Sequence, residues 1–369
     1  MRLAPTPEQH ELKDAVRRFC EEQITPERLA AWDKTPTGVD ESCWRMVAEL
    51  GWFGLGLPLS AGGSGLGLVE VACVLEECAR GLVPRRVINA IRGGLALAQL
   101  DAANGHLEAV ARGDRIVALA FDEETARVPT AYVTRVTGSG GGARLTGEKW
   151  YVPEGTDAQL HLVAAREGRG VWLVLVSSEH AKASPLRTFD GERQAVVRYD
   201  GVSLMQRFGS AKQGMEALLA IQRQQTALAL AEMVGGMDAA LTTTVAYVKE
   251  REQFGQKLAV FQAVQHQIAD MATAYTASRH LAWQAITRLA AGTAEGHELA
   301  MAAAFVGQAF KRLTLSAHHL HGGAGYVIEH PLHYHAERAQ SLCIRYTPEA
   351  SALADVASQL LDSNDGRQL

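Results

Sequence analysis

Arg251-Glu252-Gln253-Phe254-Gly255 is the stretch that decides how this chain is interpreted, because a second polar turn, Gly322-Gly323-Ala324-Gly325-Tyr326, follows it within one long helical region. Phe261-Gln262 lies between the two. Apolar residues at helical spacing surround both turns and predict a bundle of long helices. The predicted helices cover residues 213–250, about 258–292 and 295–320.

Two other blocks precede this helical region. Residues 1 to about 112 also show helical spacing, and Thr6-Pro7-Glu8-Gln9 offers an N-cap, a proline at the first helical position and a capping-box glutamine. Short β-rich runs separated by turn residues then predict a small barrel or sandwich. We therefore predict an α+β protein with an N-terminal helical domain (1–114), a central β domain (115–211) and a C-terminal helical bundle (212–369).

The β block consists of several short runs. Each is rich in β-branched or other apolar residues and is bounded by turn residues, as strands of a small all-β domain are. The predicted strands cover residues 116–121, 131–136, 143–146, 160–164, 171–176 and 195–199.

The composition excludes several classes of function. With 369 residues, a net charge of −5 and 47% hydrophobic residues, the chain is an ordinary globular protein without the basic surface that nucleic acid requires. No apolar run reaches the roughly 20 residues that span a bilayer, and the first residues lack the apolar core of a signal peptide. The five cysteines show no metal-binding spacing, so we expect reduced thiols in a cytoplasmic protein.

The order of the three blocks and the spacing of the two turns resemble the acyl-CoA dehydrogenase family. The run from Tyr247 to Lys257, with Phe261-Gln262 after it, is close to that family's strongest local motif, and the glycine-rich turn follows at the expected distance. The resemblance covers essentially the whole chain. It implies the acyl-CoA dehydrogenase fold, with FAD extended between the subunits of a dimer, an acyl-CoA substrate and an electron-transfer flavoprotein as acceptor.

The resemblance also implies which residues contact the FAD of a neighbouring subunit. Arg251 matches an arginine on the pyrophosphate, a task that suits a planar guanidinium. Phe254 matches an aromatic residue near the adenosine half. Gln262, His319 and Gly322-Gly323 match further contacts, although the family usually has glutamine where this chain has His319. Considered singly, Arg251 would be explained as a solvated charge and Phe254 as a core residue; their joint spacing favours the flavin hypothesis.

The segments that would hold the flavin ring within the same chain depart from the family pattern. In place of Thr-Glu-Pro and a small-residue loop ending in Ser-Asp, this chain has Ala120-Phe121-Asp122-Glu123-Glu124-Thr125-Ala126-Arg127. In place of tryptophan, a hydrophobic residue and threonine it has Tyr151-Val152-Pro153, and proline offers neither a hydroxyl nor an N–H group. We therefore expect a degraded flavin-ring pocket.

The catalytic base of the family is missing from both of its usual positions. Family members remove the α proton of the thioester with a glutamate held within hydrogen-bond reach. Counting from Gly322, this position holds Tyr346, and a phenol with an ordinary pKa of about 10 is a poor base at neutral pH. The second position, on the long helix before Arg251, holds Gln225. Glu349 is the candidate for a displaced base, although carboxylates of this kind are more commonly solvated surface groups.

Six histidines near the second turn raise the question of a metal site. No carboxylate or thiolate pattern completes a familiar ligand set around them, so we expect structural or cofactor-edge roles and no metal. Glu329-His330-Pro331-Leu332-His333 is similar to a variant in heteromeric members of the family, and Pro331 is expected to start a helix. The six are His318, His319, His321, His330, His333 and His335.

These features lead to one hypothesis and two alternatives. Some members of the family that shorten steroid side chains are α2β2 assemblies, in which one chain binds flavin ring and substrate while the other donates cross-subunit contacts. We expect this chain to be the second kind, a non-catalytic subunit partnered by a paralogous catalytic acyl-CoA dehydrogenase subunit. The first alternative is a self-sufficient homotetramer with a base such as Glu349. The second is a flavin-free structural or regulatory paralogue.

Overall fold

The computed structural model describes residues 5–100, 105–125, 129–168, 170–294, 296–327 and 330–362. Helices come first along the chain, strands occupy the middle, and helices return in the C-terminal part, as the sequence predicted. Contacts divide these residues into two units. The helical unit comprises the described residues up to Ala30, Gly67–Val83 and those from Arg223 onward; the sheet unit comprises Ala31–Leu66 and Pro84–Gln222.

The described residues form the following elements. The helices are α1 (Pro7–Gln23), α2 (Pro26–Trp32), α3 (Glu41–Glu49), α4 (Leu68–Arg80), α5 (Arg85–Ala98), α6 (His106–Ala111), α7 (Ala211–Glu250), α8 (Gln262–Ala290), α9 (Gly296–His321), α10 (Leu332–Tyr346) and α11 (Glu349–Asp362). The strands are β1 (Val117–Ala120), β2 (Arg135–Thr137), β3 (Arg144–Pro153), β4 (Leu160–Glu167), β5 (Gly170–Ser177), β6 (Ala181–Leu186), β7 (Gln194–Ser203), β8 (Gln206–Phe208), β9 (Glu252–Gln253) and β10 (Gln256–Lys257).

The helical unit is built around an apolar core to which α7, α8, α9 and α10 all contribute. Met233 of α7, Phe310 of α9 and Leu342 of α10 are almost completely buried within it. The three predicted long helices are confirmed as α7, α8 and α9, with ends that differ from the predicted ones by a few residues. The capping box is confirmed as well, because Thr6 and Gln9 each accept the other's backbone N–H through their side chains.

Close packing in the helical unit depends on two adjacent glycines of α7. A Cβ on Gly235 would overlap the Glu76 carbonyl oxygen of α4, and a Cβ on Gly236 would overlap the Phe310 ring of α9. The pair therefore lets α7 lie against both neighbouring helices.

The sheet unit contains one hydrogen-bonded sheet of eight strands. Its order is β6-β7-β3-β2-β4-β5-β8, and β1 pairs in parallel with β4. Strand β4 is buried on both faces from Leu160 to Ala165, which explains why its sequence is nearly continuously apolar. Its side chains share a core with α5 and α6, including Leu97 and Leu107.

One predicted strand was wrong in its extent. The run 131–136 was expected to be extended throughout, but only Arg135–Thr137 pairs with neighbouring strands. The backbone N–H groups of Val133 and Thr134 donate instead to the carboxylate of Glu123. A buried side chain thus replaces a strand as the hydrogen-bond partner, which the local sequence pattern does not reveal.

Gly235→Ala should destabilise the chain, although alanine has the higher helix propensity. The added methyl group would force α7 away from α4, and overpacking of this kind costs about 1–3 kcal/mol of unfolding free energy. Urea unfolding measures the loss as a lower midpoint. Gly141→Ala is the control, because a Cβ there meets no described atom within 4 Å. Equal midpoints for wild type and Gly235→Ala would contradict the packing.

Candidate functional site

The Arg251 segment forms a tight β-hairpin between α7 and α8. Strands β9 and β10 pair antiparallel with Gln253 opposite Gln256, which leaves Phe254 and Gly255 at the tip. Both tip residues have left-handed backbone, with φ of 56° and 81° respectively. Two consecutive positive φ angles define a type I′ turn, which glycine adopts freely and which strains a bulky residue.

The strained turn holds Phe254 in solvent. Its side chain is 89% exposed, and its ring meets Phe261 edge-on with the centroids 6.1 Å apart. Arg251 and Gln262 are exposed beside it, Gln262 at the first position of α8. Backbone strain that presents an aromatic ring and a guanidinium to solvent is typical of a surface that binds a ligand or partner.

The second predicted turn is exposed at the end of α9. Gly322 has φ of 56° and opens a short 3₁₀ turn that continues to Tyr326. His319 and Gly323 are exposed beside it. A Cβ on Gly322 or Gly323 would meet no described atom within 4 Å, so the backbone at both positions is open to a molecule lying against it.

Tyr247 and His321 bring the two turns together. Their rings stack with centroids 4.3 Å apart and planes 22° from parallel, and the Tyr247 hydroxyl donates to the His321 carbonyl oxygen at 3.3 Å. The Arg251 N–H donates to the Tyr247 carbonyl oxygen at 2.8 Å, and His321 directly precedes Gly322. The predicted cofactor-contacting residues therefore lie together, where α7 and α9 end and α8 begins.

The sequence pattern predicted no role for Tyr247 and only a general structural or cofactor-edge role for His321. The available signal was the four-residue spacing of Tyr247 and Arg251, which places them on one face of a helix. Nothing in the local sequence indicated that the ring of Tyr247 meets α9.

The two positions expected to hold a catalytic base lie away from this end of the helical unit. Tyr346 is the last residue of α10, about 21 Å along the helix axis from Leu332. Its half-buried side chain packs on the core of the helical unit. Gln225 is 4% exposed and lies about 38 Å along α7 from Glu250. Neither residue supplies a carboxylate.

Glu349, the candidate for a displaced base, lies in a groove on the helical unit. It is the first residue of α11, is exposed, and accepts a hydrogen bond from Gln308 Nε2 at 2.6 Å. The groove has a volume of about 670 Å³ and is lined by α8, α9 and α11, including Phe305, Arg312 and Leu353. Because this carboxylate is open to water, it lacks the desolvated setting in which a base meets a closed substrate site.

In the sheet unit, Glu123 fixes the segment that was compared with the flavin-ring loop. Its carboxylate accepts the N–H groups of Val133 and Thr134 at 2.7 and 3.0 Å and pairs with Lys149 Nζ at 2.9 Å. Lys149 is fully buried and also donates to the Phe121 carbonyl oxygen at 3.1 Å. Burial alone would raise the pKa of Glu123, but Lys149 and the two amides lower it. The Glu123 carboxylate is thus satisfied by the chain's own groups.

The second segment compared with the flavin site, Tyr151-Val152-Pro153, is distorted. Tyr151 has φ of 54° and the register between β3 and β7 shifts at this point. Glu154 follows with φ of 57°, and its buried carboxylate accepts hydrogen bonds from Arg86 and Asn89 of α5, each at 3.2 Å. Burial raises the pKa of Glu154 to about 7. The ion pair between Glu154 and Arg86 fixes the end of β3 against α5, and the sequence pattern did not predict it.

The remaining predictions concern metals, membranes and termini of helices. Among the described residues, no group of three or more histidine, cysteine, aspartate or glutamate side chains is arranged to hold a metal ion. Helix α10 begins directly after Pro331, which confirms the expected helix start. Within the described ranges, no helix combines the length and apolar character needed to cross a membrane. The five cysteines are free and buried. Ala126, Arg127 and Glu329 lie outside the described residues.

Comparison with known proteins identifies the family. Residues 212–360 match the acyl-CoA dehydrogenase C-terminal domain, and residues 6–106 match the acyl-CoA dehydrogenase N-terminal domain. Benzylmalonyl-CoA dehydrogenase from Aromatoleum aromaticum is 30% identical over 349 residues, which cover 89% of this chain and 91% of that protein. The chain belongs to the acyl-CoA dehydrogenase family. The resemblance stated from the sequence is therefore confirmed.

Two solved structures are similar to this chain over nearly their whole length. A variant of the Tcur3481-Tcur3483 steroid ACAD is 29% identical with a TM-score of 0.90, covering 97% of this chain and 99% of that one. The ChsE4-ChsE5 complex from Mycobacterium tuberculosis is 25% identical with a TM-score of 0.89, and the whole of both chains is covered. The predicted acyl-CoA dehydrogenase fold is thereby confirmed.

Members of this family bind FAD, and the residues exposed on the two turns of this chain are chemically suited to that cofactor. The Arg251 guanidinium suits a pyrophosphate. The exposed ring of Phe254 suits an aromatic or sugar surface, and the open backbone at Gly322 and Gly323 admits close approach. The sheet unit fits less well, because Glu123 and Lys149 already satisfy the groups around the loop.

Removing the Glu123 carboxylate alone should destabilise the chain more than removing its ion pair as a whole. Glu123→Met leaves a buried ammonium without its paired carboxylate, at a cost of about 3–5 kcal/mol of unfolding free energy. Glu123→Met/Lys149→Met should recover only the part of the loss that comes from the unpaired ammonium, because the backbone N–H groups of Val133 and Thr134 still lack their acceptor. Urea unfolding of both single variants and the double variant measures the coupling. Losses that simply add would contradict the structural role of the pair.

Proposed function

We propose that this chain is a non-catalytic subunit of a heteromeric, FAD-dependent acyl-CoA dehydrogenase. In this proposal it donates Arg251, Phe254, Gln262, His319 and the Gly322-Gly323 backbone to an FAD held mainly by a paralogous catalytic subunit. The observation that carries it is the strained hairpin tip, which exposes 89% of Phe254 beside Arg251. A chain gains from that strain only if another molecule covers the aromatic ring.

The position of the base supports the same assignment. Where a catalytic subunit needs a carboxylate, this chain has Tyr346 packed on its helical core and Gln225 buried on α7. A phenol or an amide does not accept the α proton of a thioester at neutral pH. In the proposed assembly the carboxylate comes from the partner subunit.

The sheet unit gives a second line of support. The backbone N–H groups of Val133 and Thr134 are engaged by Glu123, and Pro153 has no N–H to offer. The two amides contact Glu123 of one segment that was compared with the flavin-ring contacts of the family, and Pro153 belongs to the other. A ring placed against them would find few hydrogen-bond donors, so we infer that this chain holds no flavin ring of its own.

The comparisons support the reaction and the substrate class. One similar structure is named a steroid ACAD and another is a complex of two named proteins, ChsE4 and ChsE5. We therefore propose α,β-dehydrogenation of a CoA thioester, with a steroid side-chain ester as the substrate and an electron-transfer flavoprotein as acceptor, in the cytoplasm. When bound, FAD supplies the hydride acceptor. The residues of this chain bind and orient it across the subunit boundary.

Arg251→Ala should weaken flavin retention by the assembled complex, because one charge-assisted contact to the pyrophosphate is lost. We expect flavin dissociation constants to rise by about tenfold to a hundredfold, corresponding to about 1.4–2.8 kcal/mol. Equilibrium dialysis of the co-expressed complex measures the change. Arg223→Ala is the matched control, since Arg223 is an exposed arginine on α7 far from the hairpin. Unchanged retention in Arg251→Ala would contradict the proposal.

Tyr346→Phe and Glu349→Gln should leave turnover of the complex within about twofold of wild type, because neither group acts as the base. Loss of a true general base lowers kcat by about 10²–10⁴-fold. Steady-state assays with an acyl-CoA and an artificial electron acceptor measure both variants. A large loss in Glu349→Gln would favour the homotetramer with a displaced base, for which the groove beside Glu349 is the specific observation. A large loss in Tyr346→Phe would contradict the non-catalytic role.

A further inference from the structure

Tyr247 occupies a position that connects the two exposed turns mechanically. Its carbonyl oxygen accepts the N–H of Arg251 at the start of the hairpin, at 2.8 Å. Its hydroxyl donates across to the carbonyl oxygen of His321, the last residue before Gly322, at 3.3 Å. One side chain and its own backbone thus contact the beginnings of both turns. The two turns belong to sequence segments about 70 residues apart, so the contact between Tyr247 and His321 constrains the spacing of the turns.

The imidazole of His321 supports this contact in a defined tautomer. Nδ1 lies 2.9 Å from the carbonyl oxygen of Ala317, and a carbonyl only accepts, so Nδ1 carries the proton. Nε2 is then a lone-pair nitrogen, and it is buried without a hydrogen-bond partner among the described residues. One face of the ring is covered by Tyr247 at 4.3 Å, and His330 meets the ring edge-on at 4.9 Å.

We propose that Tyr247 and His321 are positioning residues that fix the spacing of the Arg251 hairpin and the Gly322 turn, and that they do so only while the His321 imidazole is neutral. A proton on Nε2 would be a buried donor with no acceptor. Its free-energy cost exceeds the stabilisation that the stacked rings provide. This positioning role rests on the proposed function only for the identity of the molecule that contacts both turns, which is FAD.

The surroundings of His321 set the direction of the pH effect. Burial lowers the pKa of His321, and the hydrogen bond to Ala317 opposes this in part. Burial also lowers the pKa of His318 and of His330, and nearby imidazoles lower both further. The neutral ring is therefore favoured in the folded chain. The contact is therefore complete above the ordinary histidine pKa of about 6.5 and is lost as pH falls through the lower pKa that His321 has in the folded chain.

The titratable groups around His321 come from three elements. Tyr247 faces it from α7, His318 lies one turn back on α9, and His330 and His333 precede or begin α10. Among these groups only imidazoles titrate between pH 5 and 7. An acid response that survives removal of His321 would therefore come from its histidine neighbours and would count against His321 as the controlling group.

Hydrogen–deuterium exchange of the full chain, read by mass spectrometry as protection factors, tests the positioning role without any flavin. Tyr247→Ala should lower protection in both the hairpin (247–262) and the turn (318–327), by about tenfold. Tyr247→Phe keeps the stacked ring and should lower it by about threefold. Unchanged protection of the hairpin in Tyr247→Ala would overturn the proposal.

The matched control is Tyr326→Ala. Tyr326 also stacks on a histidine, His318, with centroids 4.7 Å apart and planes 28° from parallel, but it belongs to the turn itself. We expect lost protection in the turn alone, with the hairpin unchanged. If the hairpin responds equally to both variants, the effect is general loosening and the specific role of Tyr247 is wrong.

His321→Phe separates the pH response from the stacking. It keeps an aromatic ring against Tyr247 and removes the titratable nitrogen. Wild type should lose hairpin protection as pH is lowered from 7 through the lowered pKa of His321, and His321→Phe should lose none over the same titration. The same acid profile in both would overturn the pH dependence. Arg251→Ala should leave hydrogen-exchange protection unchanged. If the complex with this variant retains its flavin, the proposed function is refuted. The exchange results for the Tyr247 and His321 variants still decide the positioning role.

Discussion

The C-terminal ends of α7 and α9 lie side by side, and the exposed surface of the helical unit depends on this arrangement. Gly235 and Gly236 let α7 approach its neighbours, and Phe310 fills the space between α7 and α9. Tyr247 and His321 then join the two helices at their ends. Because both helices end in turns, their packing determines where a hairpin and a glycine-rich loop meet. Packing in the helical core thus determines the positions of exposed residues in the hairpin and the glycine-rich turn.

The surfaces that the proposal compares with the two halves of a flavin site differ in this chain. On the helical unit, polar and aromatic groups are exposed, and the backbone of Phe254 is strained. In the sheet unit, Glu123 accepts the N–H groups of Val133 and Thr134 and pairs with Lys149. The hairpin retains a strained backbone that exposes Phe254 to a binding partner. In the sheet unit, by contrast, the backbone N–H groups of Val133 and Thr134 are satisfied within the chain. A chain that lends contacts to another subunit needs the first and can dispense with the second.

Much of this arrangement could be predicted from the sequence, because it is local. Periodicity located α7, α8 and α9, and the Thr6 capping box fixed the start of α1. The spacing of the two turns predicted Arg251 and Gly322 as cofactor-contacting residues. These features depend on residues a few positions apart. The domain boundaries after residues 114 and 211 stay predictions, since contacts group the chain into two discontinuous units.

The rest could not be predicted, because it depends on side-chain partners that the local pattern does not specify. Val133 and Thr134 look like strand residues, and only the Glu123 carboxylate, about ten residues earlier, shows why their N–H groups do not pair with a strand. Tyr247 belongs to a recognisable motif, but its ring meets a histidine more than 70 residues later. The left-handed backbone of Phe254 was equally hidden, since a phenylalanine before a glycine does not by itself specify a type I′ turn.

The flavin content of the purified full-length chain tests the central claim most directly. Visible absorption, divided by protein concentration, gives the number of flavins per polypeptide. A chain that only donates contacts should carry almost no flavin when expressed alone. Co-expression with the paralogous acyl-CoA dehydrogenase should then give one flavin for every two chains. Close to one flavin per chain in the protein expressed alone would contradict the account, because the sheet unit would then hold a flavin ring of its own.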